Sequence, residues 1–128
     1  MSSARLAVTL AGLTVAGACS GRSDQPLTLR SPSDSLLRRG ESLYVAERFD
    51  SARTIWTVAL RQTRATQDAP NEARALTWLG LVAGRLGEVT EARGLGEEGL
   101  AIKTRLRMTS ELAASYGALG LVALSENR

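Results

Sequence analysis

From residue 33 to the end of the chain, apolar side chains recur at steps of three and four residues. Five stretches carry this spacing, and each one places its apolar positions on one face of a helix. These positions are Leu36, Leu37, Leu43 and Tyr44; Ala52, Ile55, Trp56, Ala59 and Leu60; Leu76, Leu79 and Ala83; Ala92, Leu95 and Leu100; and Leu112, Tyr116, Leu119, Ala123 and Leu124. The pattern predicts amphipathic helices and therefore an all-α fold.

Polar residues before two of these stretches indicate where the helices begin. Ser31, Pro32 and Asp34 predict the first start, as a serine cap, a proline in the first turn and an acid that completes a capping box. A break follows the first stretch, where Asp50 or Ser51 is expected to cap the second helix. Both signals therefore predict that the helices begin close to the start of the apolar pattern.

The helical pattern repeats after forty residues. Gly40, Gly80 and Gly120 stand at this interval, and residues 78–83 match residues 118–123 at every position except the first. Self-similarity at a fixed period is typical of repeat architectures, in which each unit is a pair of helices. The chain therefore holds two helix pairs and the first helix of a third.

The order of apolar, glycine and alanine positions within each copy resembles the tetratricopeptide repeat (TPR). The matching residues are Leu36, Gly40, Leu43, Phe49, Ala52, Trp56 and Ala59; Leu76, Leu79, Gly80, Ala83, Gly87, Ala92 and Leu100; and Tyr116, Leu119, Gly120 and Ala123. The copies depart from the family pattern at Arg39, Glu47 and Gly96. The resemblance implies an α-solenoid of stacked helical hairpins.

About two and a half TPR-like repeats are predicted, at residues 33–69, 70–109 and, incomplete, 110–128. Their forty-residue period exceeds the usual 34 residues. We expect the extra length to lie in polar linkers at residues 64–69 and 104–110.

Gly94, Gly96 and Gly99 fall within the fourth predicted helix. Each glycine costs a helix about 1 kcal/mol relative to alanine. The interpretation favoured from sequence is a helix that is marginal alone and stabilised by stacking, and the alternative is a close approach to a neighbouring backbone.

Residues 1–19 have the pattern of an export signal. An uncharged stretch at residues 6–18 has the length of a secretory apolar segment and is too short for a membrane span. Ala16 and Ala18 fit cleavage by an ordinary signal peptidase just before Cys19. The same residues resemble a bacterial lipobox, in which the cysteine is lipidated, although leucine is usual where Ala16 stands.

Lipidation is the favoured interpretation, because the only cysteine of the protein stands at the cleavage point. Residues 20–32 then form a flexible polar tether between the anchor at Cys19 and the repeats. The predicted location is a membrane-anchored lipoprotein that faces the periplasm or the cell surface, and the alternative is a soluble secreted protein.

Composition argues against most enzymes. The 128 residues include no histidine, one cysteine and a single lysine, so they carry no Ser-His-Asp or Cys-His system and no imidazole metal site. The net charge of +3 and the absence of a basic run argue against nucleic-acid binding. We predict a protein without catalytic residues, cofactor or metal.

The TPR resemblance implies recognition of a protein or peptide on a concave surface, which the first helix of each repeat lines. The positions that correspond to this groove are Asp34, Glu41, Tyr44, Arg74, Thr77, Trp78, Leu81 and Arg85, continued by Leu121 and Ser125. Trp56, in contrast, is predicted to be a core residue. The expected function is a protein–protein interaction scaffold that is lipid-anchored at the bacterial cell envelope.

The last predicted helix, within residues 110–128, carries an apolar stripe and has no second helix in the sequence. Three explanations stay open: this helix caps the array, it pairs with another chain, or the sequence is the N-terminal part of a larger protein. The last is the favoured one, because Leu121–Leu124 is very apolar for a cap. A caspase-like protease or a regulatory protein is the alternative function that it implies, by family analogy alone.

Overall fold

The computed structural model describes residues 31–127, and all regular secondary structure in that range is helical. The predicted all-α class is confirmed. The helices are α1 (Pro32–Val45), α2 (Phe49–Ala65), α3 (Ala69–Arg85), α4 (Val89–Arg105) and α5 (Thr109–Glu126). The predicted signal at residues 1–19 lies outside the described residues, as does the predicted tether as far as residue 30.

Helices α2 to α5 begin at residues 49, 69, 89 and 109, an interval of twenty residues. Three residues connect each helix to the next. The forty-residue repeat is therefore two helix-and-loop units. The linkers predicted at 64–69 and 104–110 are shorter than expected, since the loops are residues 66–68 and 106–108, and the prediction that they hold the extra length is wrong. The extra length lies in the helices, because α2 continues to Ala65 and α4 to Arg105.

All four connections share one backbone geometry, which ends each helix and reverses the chain. The amide of the third loop residue donates to the carbonyl five residues earlier, as Arg48 does to Leu43 at 2.9 Å, which is a Schellman motif. The second loop residue lies in the left-handed region in every case. These residues are Glu47 (φ 58°), Gln67 (56°), Gly87 (80°) and Arg107 (55°). The turn therefore forms even where glycine is missing.

The capping signals predicted from sequence have different outcomes. The capping box at α1 is confirmed, since the amide of Asp34 donates to the Ser31 hydroxyl and the Ser31 amide donates to the Asp34 carboxylate. Neither Asp50 nor Ser51 caps α2, because that helix already begins at Phe49 after the preceding Schellman turn. That turn sets the start of α2 without help from a side chain.

Consecutive helices pack side by side, and contacts also join α1 to α3 and α3 to α5. The core lies among the first four helices, where Leu76 and Val82 are fully buried. Trp56, predicted to be core, is also fully buried, and its indole N–H donates to the Leu37 carbonyl at 3.1 Å. In α5, Ser115 alone of the described residues is buried.

The glycines of α4 correct the interpretation that this helix is merely marginal. A Cβ at Gly99 would lie 3.1 Å from the Ala73 carbonyl oxygen, and one at Gly96 would lie 2.8 Å from a Leu119 methyl group. Gly99 therefore lies close to a neighbouring backbone, the alternative considered from sequence, whereas the atom near Gly96 belongs to the Leu119 side chain. A Cβ at Gly94 would meet no atom within 4 Å, so Gly94 alone lacks such a packing role.

Among the five helices of residues 31–127, none is both long enough and apolar enough to cross a membrane.

Candidate functional site

Two regions on either side of α3 differ in how their interiors are filled. Between α1, α2 and α3, four aromatic rings form one cluster. Trp56 and Trp78 stack with their centroids 4.9 Å apart, and Tyr44 lies 5.3 to 6.0 Å from the rings of Phe49, Trp78 and Trp56. Contacts of this kind stabilise a fold beyond the area that they bury. This side of α3 is therefore closed by packed aromatic side chains.

The other side of α3 holds an open cavity of about 470 Å³, which we call the α3–α5 groove. The volume falls within the roughly 300–1,000 Å³ that ligand sites span. Its lining is mainly apolar and rich in small residues: Tyr44, Thr77, Gly80, Leu81, Gly84, Arg85, Val89, Ala92, Gly96, Ser115, Ala118, Leu119, Leu121, Val122 and Ser125. A surface of this composition favours an apolar occupant.

One edge of the groove carries a polar network that centres on Lys103. The Lys103 ammonium donates to the hydroxyls of Thr77 and Ser115, each at 2.9 Å, and lies 3.8 Å from the Glu111 carboxylate. Only 3% of the Lys103 side chain is exposed. Thr77 and Ser115 also line the groove, so two hydroxyls at this edge stand between the buried cation and the cavity.

Burial lowers the pKa of Lys103, because it penalises the charged ammonium, and the nearby Arg74 acts in the same direction. Glu111 opposes this shift. The Glu111 carboxylate also pairs with Arg74 at 2.8 Å, and Arg74 donates to the Asn71 side-chain oxygen at 2.9 Å. A hydrogen-bond network thus joins the start of α5 to α3 and α4.

At the opposite end of the groove, the Arg85 guanidinium donates to the Tyr44 hydroxyl at 2.9 Å. The Arg85 guanidinium also lies 5.9 Å from the centre of the Tyr44 ring, within the range of a cation–π contact. Arg85 is exposed, and both side chains line the groove. This end of the groove, which we call its mouth, therefore presents an aromatic ring and a positive charge to an occupant.

The structure divides the eight predicted groove residues among four places. Tyr44, Thr77, Leu81 and Arg85 line the α3–α5 groove, together with Leu121 and Ser125. Asp34 and Arg74 belong to the polar network, where the Asp34 carboxylate accepts from the Asn71 side chain at 3.0 Å. Trp78 stacks in the aromatic cluster, and Glu41 lies half-buried on α1. Neither lines the groove.

Several groove residues were missed by sequence reasoning. Val89, Ala92 and Gly96 of α4 face the cavity, although the TPR resemblance assigns the binding surface to the first helix of each repeat. Lys103 was missed as well. The repeat itself signals its burial, because Lys103 stands forty residues after Thr63, which is fully buried.

Among the described residues, no three His, Cys, Asp or Glu side chains form a group that could hold a metal ion. No known protein family, curated protein or solved structure matches this chain.

Proposed function

We propose that the protein is a polypeptide-binding module, which receives a segment of a partner protein in the α3–α5 groove. The observation that carries this proposal is an open, mainly apolar cavity of about 470 Å³ beside α3 and α5. The apolar side chains that line an open groove are exposed to water. Covering this surface with a partner removes apolar area from water, which is favourable.

A TPR-like solenoid is the architecture that we propose for this module. Three features support it: the twenty-residue interval of the helices, the identical Schellman turns, and the contacts of α3 with both α1 and α5. In arrays of helical hairpins, the alternate helices line one continuous surface. Here α3 and α5 supply most of the groove, as that arrangement requires.

Binding in the groove can be tested with peptides selected from a random library against the purified full chain. Synthetic copies of the selected peptides are titrated against the wild type, Leu81→Glu and Val58→Glu. Leu81 lines the groove, whereas Val58 is an exposed residue of α2 outside it. We expect at least tenfold weaker binding to Leu81→Glu and unchanged binding to Val58→Glu. Peptides that bind both variants as well as the wild type would contradict the proposal.

We also propose that Cys19 carries a lipid that holds the module at the bacterial cell envelope, with residues 20–30 as a tether, since Ser31 and Pro32 belong to the start of α1. The support is the position of the only cysteine at the end of the apolar segment. In a bacterial host, Cys19→Ala should move the protein from the membrane fraction to the soluble fraction, whereas Ser20→Ala should not. Globomycin should cause the unprocessed wild-type form to accumulate. Unchanged fractionation of Cys19→Ala would reject the anchor.

A further inference from the structure

The forty-residue repeat relates the aromatic cluster to the groove, position by position. Residues forty positions after Tyr44, Phe49, Trp56 and Trp78 are Gly84, Val89, Gly96 and Ala118. All four line the α3–α5 groove. With α1–α3 taken as the first copy and α3–α5 as the second, the second copy keeps the helices and turns of the first. It replaces the four aromatic side chains of the first copy with two hydrogen atoms, an isopropyl group and a methyl group.

The glycine opposite the Trp56 position is retained between the copies, whereas the neighbouring Leu37 is replaced by Thr77. Gly40 faces Trp56 in the first copy, since a Cβ there would overlap the indole. Its counterpart Gly80 faces the backbone of Gly96, at 3.3 Å from the Gly96 nitrogen to an added Cβ. The close approach is kept after the large side chain has gone. The cavity thus occupies the space that aromatic rings fill on the other side of α3.

The groove has not collapsed around the missing rings. Leu119 leans over Gly96 and fills part of the space. A Cβ at Gly84, however, would have only the Ala92 methyl group near it, at 3.9 Å. On the other side of α3 the corresponding space is densely packed, as protein interiors normally are. An open apolar groove of this shape is therefore suited to an occupant that fills it.

We infer that the groove receives an aromatic side chain, tryptophan in preference to others, from the partner polypeptide. This inference rests on the proposed function and adds the chemistry of the partner. Two of the four missing rings are indoles, and the mouth offers the Tyr44 ring and the Arg85 guanidinium for stacking. In the first copy the indole N–H of Trp56 donates to the Leu37 carbonyl. Thr77 stands at the position that corresponds to Leu37, so its backbone carbonyl is the counterpart of that acceptor.

The extent of the groove favours a polypeptide over a small aromatic molecule. Its lining runs from Thr77 to Arg85 on α3 and from Ser115 to Ser125 on α5. Helices rise about 1.5 Å per residue, so these stretches span on the order of 12–15 Å, which is longer than one indole ring. An occupant with one ring in the cavity and further apolar residues along α3 and α5 covers this length.

The peptide selection described above also tests this inference. Peptides that depend on Leu81 should contain tryptophan, and replacing that tryptophan with leucine should weaken binding at least tenfold, with phenylalanine intermediate. N-acetyl-tryptophanamide alone should bind far more weakly than the parent peptide. Leu81-dependent peptides without an aromatic residue would overturn the inference and leave the proposed function standing. If no peptide depends on Leu81, both fail.

Filling the groove from within gives an independent test. Gly84→Tyr and Ala118→Trp restore the residues of the first copy and should weaken tryptophan-peptide binding at least tenfold while raising the melting temperature. Gly84→Ala is the matched control, because it adds helix propensity without filling the cavity, and it should bind like the wild type. A raised melting temperature excludes misfolding as the cause of lost binding. Unchanged binding to both filled variants would overturn the inference.

Two other occupants give distinct results. If a second copy of the chain fills the groove, the wild type is a dimer by sedimentation and Gly84→Tyr is a monomer. If the ligand is a small aromatic molecule, N-acetyl-tryptophanamide binds as tightly as the parent peptide. Either result would overturn the inference of a partner polypeptide.

Discussion

At the scale of single residues, the glycines of α4 differ in what surrounds them. Gly94 faces open space, whereas Gly99 packs against the Ala73 carbonyl oxygen and the side chains of Thr77 and Leu76. Helix propensity treats the two glycines alike, since alanine is favoured over glycine at either position. Packing distinguishes the two positions, because of the two only Gly99 leaves no room for a methyl group.

We predict opposite effects of alanine at these two positions. Gly94→Ala should raise the free energy of unfolding by about 0.5–1 kcal/mol through helix propensity. Gly99→Ala should lower the free energy by about 1–3 kcal/mol, because the added methyl group forces α3 and α4 apart. Urea unfolding of both variants checks the prediction. Equal effects of the two substitutions would show that the close approach at Gly99 has no energetic role.

Lys103 is the residue whose charge is least expected from its position. Removing a cation from water is costly, and its hydrogen bonds to Thr77 and Ser115 offset part of this cost. Since burial lowers the pKa in the folded state, the unfolded chain binds the proton more tightly. The resulting destabilisation is fully present below the folded-state pKa. It is relieved as the pH rises from the folded-state pKa toward the unfolded value of about 10.4.

A comparison of the wild type with Lys103→Met isolates this effect. As the pH rises toward the unfolded value of about 10.4, the free energy of unfolding of the wild type should rise relative to that of Lys103→Met, because the variant has no proton to lose at this position. Denaturant unfolding between pH 7 and pH 10 measures the difference between the two proteins. A difference that is constant with pH, or that changes in the opposite sense, would contradict a lowered pKa for Lys103.

At the scale of helices and turns, the Schellman geometry sets where each helix ends. Only Gly87 suits the left-handed position that all four turns require, and residues with a Cβ there cost about 1–2 kcal/mol. Glu47, Gln67 and Arg107 nevertheless adopt this conformation. Packing of the long helices on both sides of each turn thus overrides the local preference.

Substitutions at the second loop residue should shift stability in a direction set by the residue already present. Gln67→Gly should raise the free energy of unfolding by about 0.5–1 kcal/mol. It removes the cost of holding a residue with a Cβ in the left-handed region, and this gain exceeds the cost of the greater conformational entropy of the unfolded chain. Gly87→Ala should lower it by about 1 kcal/mol for the converse reason. Thermal unfolding of the two variants checks both signs. Destabilisation by Gln67→Gly would mean that the Gln67 side chain stabilises its turn.

Prediction from the sequence succeeded where the signal was local. The apolar spacing predicted the helices, and Ser31 with Asp34 predicted the first cap. It failed for the linkers at 64–69 and 104–110, because the last turn of a helix can be as polar as a loop on its exposed side. The half-period of twenty residues was hidden, since α2 and α3 share length and turn geometry but differ in sequence.

For the groove, sequence reasoning found the residues on the first helix of each repeat and missed those on α4. Leu81 and Arg85 followed from the TPR resemblance, and both line the cavity. From sequence, Gly96 was noted as a departure from the family pattern and as one of three helix glycines, and not as part of a groove. Its meaning depends on a void that several elements enclose, and no pattern along a single helix reveals such a void.

At the scale of the whole molecule, charged pairs join α2 to α4 and to the loop before α4, across the intervening α3. Arg64 of α2 pairs with Glu98 of α4 at 2.7 Å, and Arg53 of α2 pairs with Glu88, which precedes α4. Exposed pairs of this kind contribute at most about 1 kcal/mol each. They align neighbouring units, while the stability comes mainly from the buried residues between the helices.

The molecule as a whole is asymmetric about α3. One side is closed by four aromatic rings, and the other side holds the groove, where the corresponding positions are small. Exposed apolar side chains also concentrate on α5, at Tyr116, Leu121 and Leu124. Of these three, Leu121 also lines the groove. Our proposal therefore places the binding site at the α5 end of the array.

Methyl-resolved NMR of the full chain with a selected tryptophan peptide tests the central claim most directly. The account predicts large shifts for the methyl groups that line the groove, those of Leu81, Val89, Leu119 and Val122. The methyl groups of Val58 and Leu60, on α2, should stay unchanged. Shifts confined to α2, or spread evenly over the protein, would contradict the claim that the α3–α5 groove is the binding site.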